Sequence, residues 1–244
     1  MPAAIPAPRL KIPNKSEMNE KQLVLLADIE KSRGKGALGG PFAVFLEAPD
    51  YGDLAQKLGA FCRYNTSIPP HLSEFTILVL GRFWRSQYEF WVHAPIAQKA
   101  GVKAATIEAL RTGGVPKLSK EQRAIYDFIA ELHRTKRVTD KTYSRVHAMF
   151  SDPGMVEFVG IIGYYTLVAM TLNVFGVPLP DGEDYPFREP GTAANRSAKT
   201  KLVSKPKSKT TPKNKTTPKN KATPKSRTTP KKTNGATKSK RTKR

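Results

Sequence analysis

Four side chains that can take part in acid–base chemistry follow one another closely in the sequence. Glu74 is separated by eleven residues from Ser86, and Glu89 and His93 come shortly after. The segment 75–80 between them is apolar. Polar groups in such a segment either have hydrogen-bond partners or take part in function, so these four are the first candidates for a site.

Glu89 and His93 are four residues apart, which places them one turn apart on the same face of a helix. A neighbouring carboxylate fixes the tautomer of an imidazole and favours its protonated form, and such a pair can donate a proton near neutral pH. Glu74 is expected to come from the preceding helix. The same spacing also occurs on solvated helix surfaces, so it does not by itself establish a catalytic pair.

The hydrophobic pattern predicts an all-helical body, because apolar residues recur at helical spacing and no segment shows sustained strand alternation. A glycine-rich loop is predicted over 34–50. Asp50, Ser73 and Ser119 are the expected N-caps of three helices. The predicted helices cover residues 17–32, 50–64, 73–84, 86–100, 104–112, 120–135, 141–150 and 152–175.

Two helices have extensive apolar surfaces. In the helix predicted over 50–64, Leu54, Leu58 and Phe61 lie on one face. The last helix is apolar almost all round, which favours burial in the centre of the body or against another subunit. The apolar stretch 158–177 is interrupted by glycine, threonine and asparagine, so we interpret it as a buried helix and predict no membrane span.

The positive charge is concentrated at the end of the chain. The formal net charge is +22, and nineteen of the 42 Lys and Arg residues lie after position 190, where there is no Asp or Glu. The preceding 23 basic and 20 acidic residues nearly balance. We therefore predict a Pro-rich arm over 1–16, a helical domain over 17–185 and a disordered basic tail over 191–244.

The single cysteine, Cys62, excludes an intrachain disulfide and fits a reducing compartment. The first residues show no basic start followed by an apolar run, so no signal peptide is expected. These two observations predict a cytoplasmic protein.

The spacing of these residues resembles that of the carboxymuconolactone decarboxylase and alkylhydroperoxidase-D superfamily. The resemblance covers roughly residues 20–182. It depends on the order of the following residues and segments: Glu74, Ser86, Glu89, His93, Ala97, Gly101, 40–42, 163–165 and 173–175.

The resemblance implies an all-helical fold and assembly into a trimer or hexamer. One branch of the superfamily is a thiol peroxidase with two cysteines, at the positions that Ser86 and Glu89 occupy here. The other branch decarboxylates a muconolactone without a cofactor and has no such cysteine pair. This sequence looks like the second branch, and the missing cysteines disfavour peroxidase activity.

The resemblance leads to a hypothesis for catalysis on a small carboxylated lactone or a related carbonyl acid. His93 would deliver a proton to carbon, with Glu89 and Glu74 positioning it. Arg82 and Arg85 would bind the substrate carboxylate, since Arg suits bidentate carboxylate binding. Ser86 would donate a hydrogen bond.

No cofactor is expected, and no metal either, because the acids and histidines lack a standard ligand spacing. The predicted partners are therefore the small carboxylated substrate, further copies of the same chain and, through the tail, nucleic acid.

The predicted tail repeats a Thr-Pro-Lys unit every six residues and resembles the basic tails of linker-histone-like proteins. Proline at this spacing prevents a helix, and the lack of apolar residues prevents a core. Such a polycation is expected to bind nucleic acid phosphates without sequence specificity; an anionic membrane surface or a role in solubility are the alternatives. The predicted phosphate-binding residues are Lys213, Lys219, Lys225, Lys231 and Lys232.

Three functions are therefore open at this point. The first is a cofactor-free lyase, the second is a thiol peroxidase, and the third is a catalytically idle oligomeric scaffold associated with nucleic acid. The first and third are compatible, because they concern different parts of the chain.

Overall fold

A computed structural model describes residues 5–36, 38–114 and 116–188 of the chain. Within these residues the protein is all-helical and contains no strand, as the sequence predicts. The basic tail, with its predicted phosphate-binding lysines, lies outside the described residues. The eight α-helices are α1 (Glu20–Arg33), α2 (Pro41–Phe45), α3 (Pro49–Tyr64), α4 (Pro70–Phe83), α5 (Gln87–Ala100), α6 (Ala104–Thr112), α7 (Lys120–Thr135) and α8 (Asp140–Phe175).

The α4–α5 hairpin forms the centre of the fold. Every residue over 72–81 of α4 is buried, because α5, α7 and α8 all pack against this helix. The aromatic side chains of Phe75, Phe90 and Phe158 are almost fully enclosed in the same core. A smaller cluster holds α1 against the segment that contains α2.

Several helix ends follow from capping residues. Asn19 and Ser119 cap α1 and α7, each in a reciprocal capping box with the glutamine three residues later. Gly34 ends α1, and Gly101, in the left-handed conformation, ends α5. These boundaries agree with the sequence prediction to within a few residues.

Three boundary predictions were wrong, and proline explains two of them. Helix α4 begins at Pro70 and α3 at Pro49, because proline at the first helical position has no N–H that needs an acceptor. Ser73 and Asp50 therefore lie inside their helices rather than at the N-cap. The predicted loop over 34–50 also contains the short helix α2.

The apolar face of α3 that the sequence identifies points outward. Leu54, Leu58 and Phe61 are 71%, 51% and 44% exposed. The buried face of α3 instead carries small residues, among them Gly59 and Cys62. The reason is steric: the aromatic ring and hydroxyl of a tyrosine from α8 lie directly against Gly59 and leave no room for a large side chain.

Helix α8 has 36 residues and contains a break at Ser151, whose φ of 58° lies in the left-handed region. Asp152 and Pro153 restart the helix, as predicted from the sequence. By length and composition alone α8 could cross a membrane, but the core helix of a soluble protein meets the same test. Here its buried residues pack along α4, α7 and α3.

The contact between Gly59 and Tyr164 can be tested by adding one methyl group. Gly59→Ala places this methyl against the Tyr164 ring and hydroxyl. We expect a loss of about 1–3 kcal/mol in the free energy of unfolding, measured by urea denaturation, because overpacking forces the ring to move.

Gly160→Ala is the matched control, since no atom lies within 4 Å of the added methyl. It should stabilise the protein by roughly 0.5–1 kcal/mol, because alanine favours a helix over glycine. Equal stabilisation by both substitutions would contradict the packing described for α3 and α8.

Candidate active site

The turn between α4 and α5 fixes the relative position of their side chains. Arg85 has a φ of 49°, which lets the chain reverse within three residues. The Ser86 N–H donates to the Gly81 carbonyl at 2.9 Å and closes the turn. Gly81 lies so close to α5 that a methyl group there would be 3.6 Å from Oε1 of Glu89. The Glu89 side chain therefore points between the two helices.

Glu74 and His93 form a buried pair across this hairpin. Oε2 of Glu74 lies 2.7 Å from Nδ1 of His93, and both side chains are shielded from solvent. The proton on Nδ1 is donated to the carboxylate, which leaves Nε2 as the nitrogen that can give or take a proton. The sequence hypothesis gave both acids a role in positioning His93, and the structure pairs the imidazole with Glu74.

Tyr165 of α8 completes the wall on the other side of His93. Its ring meets the imidazole edge-on, with ring centroids 5.2 Å apart, and Tyr164 packs against Tyr165 at 5.4 Å. Burial raises the pKa of Tyr164 to about 12 and the pKa of Tyr165 well above its ordinary value. Both phenols therefore stay neutral at physiological pH and can donate hydrogen bonds.

Glu89 lies in the interior with only 2% of its surface exposed. Neither of its carboxyl oxygens has a hydrogen-bond partner in the described structure. Burial raises the pKa of Glu89 well above its ordinary value of 4.5, because the anion has lost its hydration. Burial therefore favours the neutral carboxylic acid, a form that can donate a hydrogen bond.

Ser86 is buried at the N-cap of α5, three residues before this acid, and its hydroxyl also has no partner in the described structure. Buried polar atoms are nearly always hydrogen-bonded. Here Ser86 and Glu89 leave three such atoms unsatisfied. This is the arrangement expected of a site that binds a polar ligand.

The structure separates Arg82 and Arg85 from these acids. Both line a cavity of about 360 Å³ whose walls include α6 and α7 but not Glu89 or His93. The two arginines predicted to bind the substrate carboxylate are thus placed at a different cavity.

Two other arginines, which the sequence reasoning missed, lie on the tyrosine side of the site. The charge of Arg63 partly offsets the raised pKa of Tyr165, and that of Arg33 does the same for Tyr164. Arg33 donates to the Gln56 side chain and carbonyl at 2.9 and 2.8 Å. Among the described residues, neither arginine pairs with a carboxylate. No sequence signal identified them, because their position depends on how α1 and α3 pack on α8.

Metal and thiol chemistry have little support in the described residues. No group of three or more His, Cys, Asp or Glu side chains there is placed to hold a metal ion. Cys62 is 1% exposed on the inner face of α3, and burial raises the pKa of its thiol. A thiol of this kind is a poor nucleophile.

Three solved structures share this architecture. An uncharacterised peroxidase-related protein from Ralstonia eutropha JMP134, described as an alkylhydroperoxidase AhpD core, has a TM-score of 0.60 at 14% identity, over 72% of this chain and 94% of that one. A peroxidase-related protein from Silicibacter sp. TM1040 has a TM-score of 0.58 at 12% identity, over 70% and 91%. The debrominase Bmp8, in its apo form, has a TM-score of 0.54 at 13% identity, over 69% and 90%.

The chain has the alkylhydroperoxidase-D-like fold. No family model matches the sequence, and no curated protein is detectably similar to it. At 12–14% identity the three structures establish the fold alone. The fold predicted from the sequence resemblance is therefore confirmed, while the activity has to be argued from the site.

The neutral state of Glu89 predicts a pH-dependent cost to stability. The pKa of Glu89 is higher in the folded protein than in the unfolded chain. Below pH 4.5 the side chain is protonated in both states, so it does not lower the free energy of unfolding relative to a neutral side chain. As pH rises towards the folded pKa, the unfolded chain releases a proton that the folded chain keeps. Glu89→Gln removes this effect. The difference in unfolding free energy between variant and wild type should grow by about 1.4 kcal/mol per pH unit.

Urea denaturation of both proteins from pH 4.5 to pH 8 measures this difference. Glu157→Gln is a matched control, because that carboxylate accepts hydrogen bonds from Ser67 and its pKa is lowered. Parallel stability profiles for wild type and Glu89→Gln would show that Glu89 ionises freely in the folded protein.

Proposed function

We propose that this protein is a cofactor-independent carboxy-lyase that acts on a small carboxylated lactone or a related carbonyl acid. The observation that carries the proposal is the buried acid–base set around α5. A buried acid, Glu89, lies one helical turn from an imidazole that is oriented by a carboxylate, and neither this acid nor the Ser86 hydroxyl has a hydrogen-bond partner among the described residues.

The chemistry that these groups support begins with a substrate carbonyl oxygen. Glu89 donates a hydrogen bond to this oxygen, with Ser86 as a second donor. When the C–C bond to the substrate carboxylate breaks, carbon dioxide leaves and the electron pair moves onto the carbonyl as an enolate. A neutral buried acid stabilises this enolate, because the hydrogen bond strengthens as negative charge develops on the oxygen.

His93 then completes the reaction by proton transfer. Its Nε2–H protonates the carbon that lost the carboxylate, and the ring regains its proton from solvent. Glu74 stabilises the protonated ring through Nδ1, and Tyr165 limits the space on one side of it. Overall the substrate exchanges carbon dioxide for a proton, so no electron acceptor is required.

The cation for the substrate carboxylate is assigned to Arg63 in this proposal. It lies on the Tyr165 side of His93 and has no carboxylate partner among the described residues. Arg82 and Arg85, which the sequence favoured, line a separate cavity. A buried thiol without a second cysteine keeps peroxidase activity the weaker alternative.

Replacement of His93 tests the proposal directly. With small carboxylated lactones and 3-oxo acids as substrates, His93→Ala should lower kcat by roughly 100-fold or more, because the proton donor is lost. Carbon dioxide release gives the rate. His147→Ala is the control, since this exposed imidazole pairs with Asp152 outside the site. Near-normal kcat in His93→Ala would discard the assignment.

Self-association is the second part of the proposal. The exposed face of α3 carries Leu54, Leu58 and Phe61, together with Tyr51 and Tyr64 at the same helical spacing. A contiguous apolar face of this size is typical of protein–protein contact. We expect copies of the chain to meet through this face in a trimer or hexamer, whose mass light scattering would measure.

Nucleic acid binding is proposed for residues 191–244 on the strength of their charge, nineteen basic residues and no acidic one. Removal of this segment should abolish retardation of duplex DNA, while His93→Ala should leave it unchanged. If about ten phosphates are neutralised, log K should fall with log salt with a slope near −9. Retardation that survives the truncation would assign DNA binding elsewhere.

A further inference from the structure

The cavity next to the α4–α5 turn has features of a second binding site. Its volume is about 360 Å³. One end carries the guanidinium groups of Arg82 and Arg85, and the walls contain the aromatic rings of Phe83 and Tyr126 and the apolar side chain of Leu110. The cavity is thus cationic at one end and apolar along its sides.

Arg82 is held in place without an acidic partner. Its guanidinium lies directly against the backbone of Gly113 and 5.3 Å from the centre of the Phe187 ring. Among the described residues no carboxylate pairs with it. Burial lowers the pKa of Arg82, and the like charge of Arg85 lowers it further. A partly buried cation beside a second cation favours binding of an anion.

The backbone around Gly113 is shaped to accept this side chain. The φ of Gly113 is +78°, and a Cβ at this position would overlap the Arg82 guanidinium. The N–H groups of Gly113 and Gly114 donate to the carbonyls of Leu110 and Ala109. These N–H groups are therefore unavailable to a ligand. The Arg82 guanidinium is then the group that would bind an anion in this part of the cavity.

The turn between the helices fixes the position of the second arginine. Arg85 has a φ of 49°, and its side chain donates to the carbonyl of Arg188. This contact orients the guanidinium. Both cations at this end of the cavity are therefore positioned by the fold.

We propose that this cavity binds a small organic carboxylate with a flat apolar body. The Arg82 guanidinium binds the carboxylate in a fork-to-fork arrangement, and the apolar body packs between Phe83, Tyr126 and Leu110. The apolar walls and the engagement of the Gly113 and Gly114 N–H groups favour this class over inorganic phosphate. The site is separate from the acid–base set around Glu89, so it stands whether or not the proposed function does.

Isothermal titration calorimetry of the full-length protein with benzoate tests the inference, at constant ionic strength. Neutral benzamide should bind about 10-fold more weakly or worse, because it lacks the charge-assisted hydrogen bonds. Acetate should also bind at least about 10-fold more weakly, because it lacks the apolar body. Benzoate binding that does not exceed that of benzamide, or of phosphate, would overturn the proposal.

Variants locate the site. Arg82→Gln should weaken benzoate binding by about 10-fold or more, and Arg82→Lys by less, since lysine keeps the charge but loses the planar fork. Arg123→Gln is the matched control: this arginine stacks over the Tyr126 ring but does not line the cavity. Every variant keeps residues 191–244, so weak binding of benzoate to the basic segment cancels.

His93→Ala should leave benzoate binding unchanged, which separates this site from the proposed active site. Equal benzoate affinity in wild type and Arg82→Gln would contradict the inference. If Arg82→Gln does not fold, benzoate and acetate are compared on the wild-type protein: both monoanions meet the basic segment alike, so equal affinity for the two would contradict the inference.

Discussion

The carboxyl group of Glu89 lies between α4 and α5, and neither of its oxygens has a protein partner among the described residues. Burying a carboxylate anion in this way costs far more than burying the neutral acid, so the acid keeps its proton. This single constraint gives the site its chemical character. A neutral acid next to an oriented imidazole provides a hydrogen-bond donor and a proton carrier within one turn of one helix.

The rest of the fold places these two groups. The tight turn at Arg85 sets the register of the α4–α5 hairpin, and this register brings Glu74 to His93 across the helices. Helix α8 covers the pair with Tyr165. The small residues on the inner face of α3 give the α8 tyrosines room, so the large apolar residues of α3 face outward, on the surface that we propose for self-association.

Much of the fold follows from local signals in the sequence. The cap at Ser119 gave the start of α7 correctly, and helical spacing placed α1 and α5 to within a few residues, because these signals act locally. The outward direction of the apolar face of α3 could not be predicted, because hydrophobicity alone does not show which side of a helix meets a crowded neighbour. The buried side of α3 is set by Gly59, which packs against a tyrosine more than a hundred residues away in the sequence.

The candidate site was predictable in part for the same reason. The spacing of Glu74, Ser86, Glu89 and His93 identified the four groups, and the structure buries all of them in the α4–α5 hairpin. The pairing of His93 with Glu74 depends on hairpin register, which spacing does not contain. Arg82 and Arg85 were assigned to the site because they lie close to its residues in the sequence. In the structure both line a different cavity, and this location depends on tertiary packing.

An infrared difference spectrum between wild type and Glu89→Gln at pH 7 tests the protonation state of Glu89 most directly. If Glu89 is protonated, the wild type should show the carbonyl stretching band of a carboxylic acid, and this band should be missing from the variant. An ionised carboxylate band in its place would show that Glu89 is charged in the folded protein, and the proposed chemistry would then have to be abandoned.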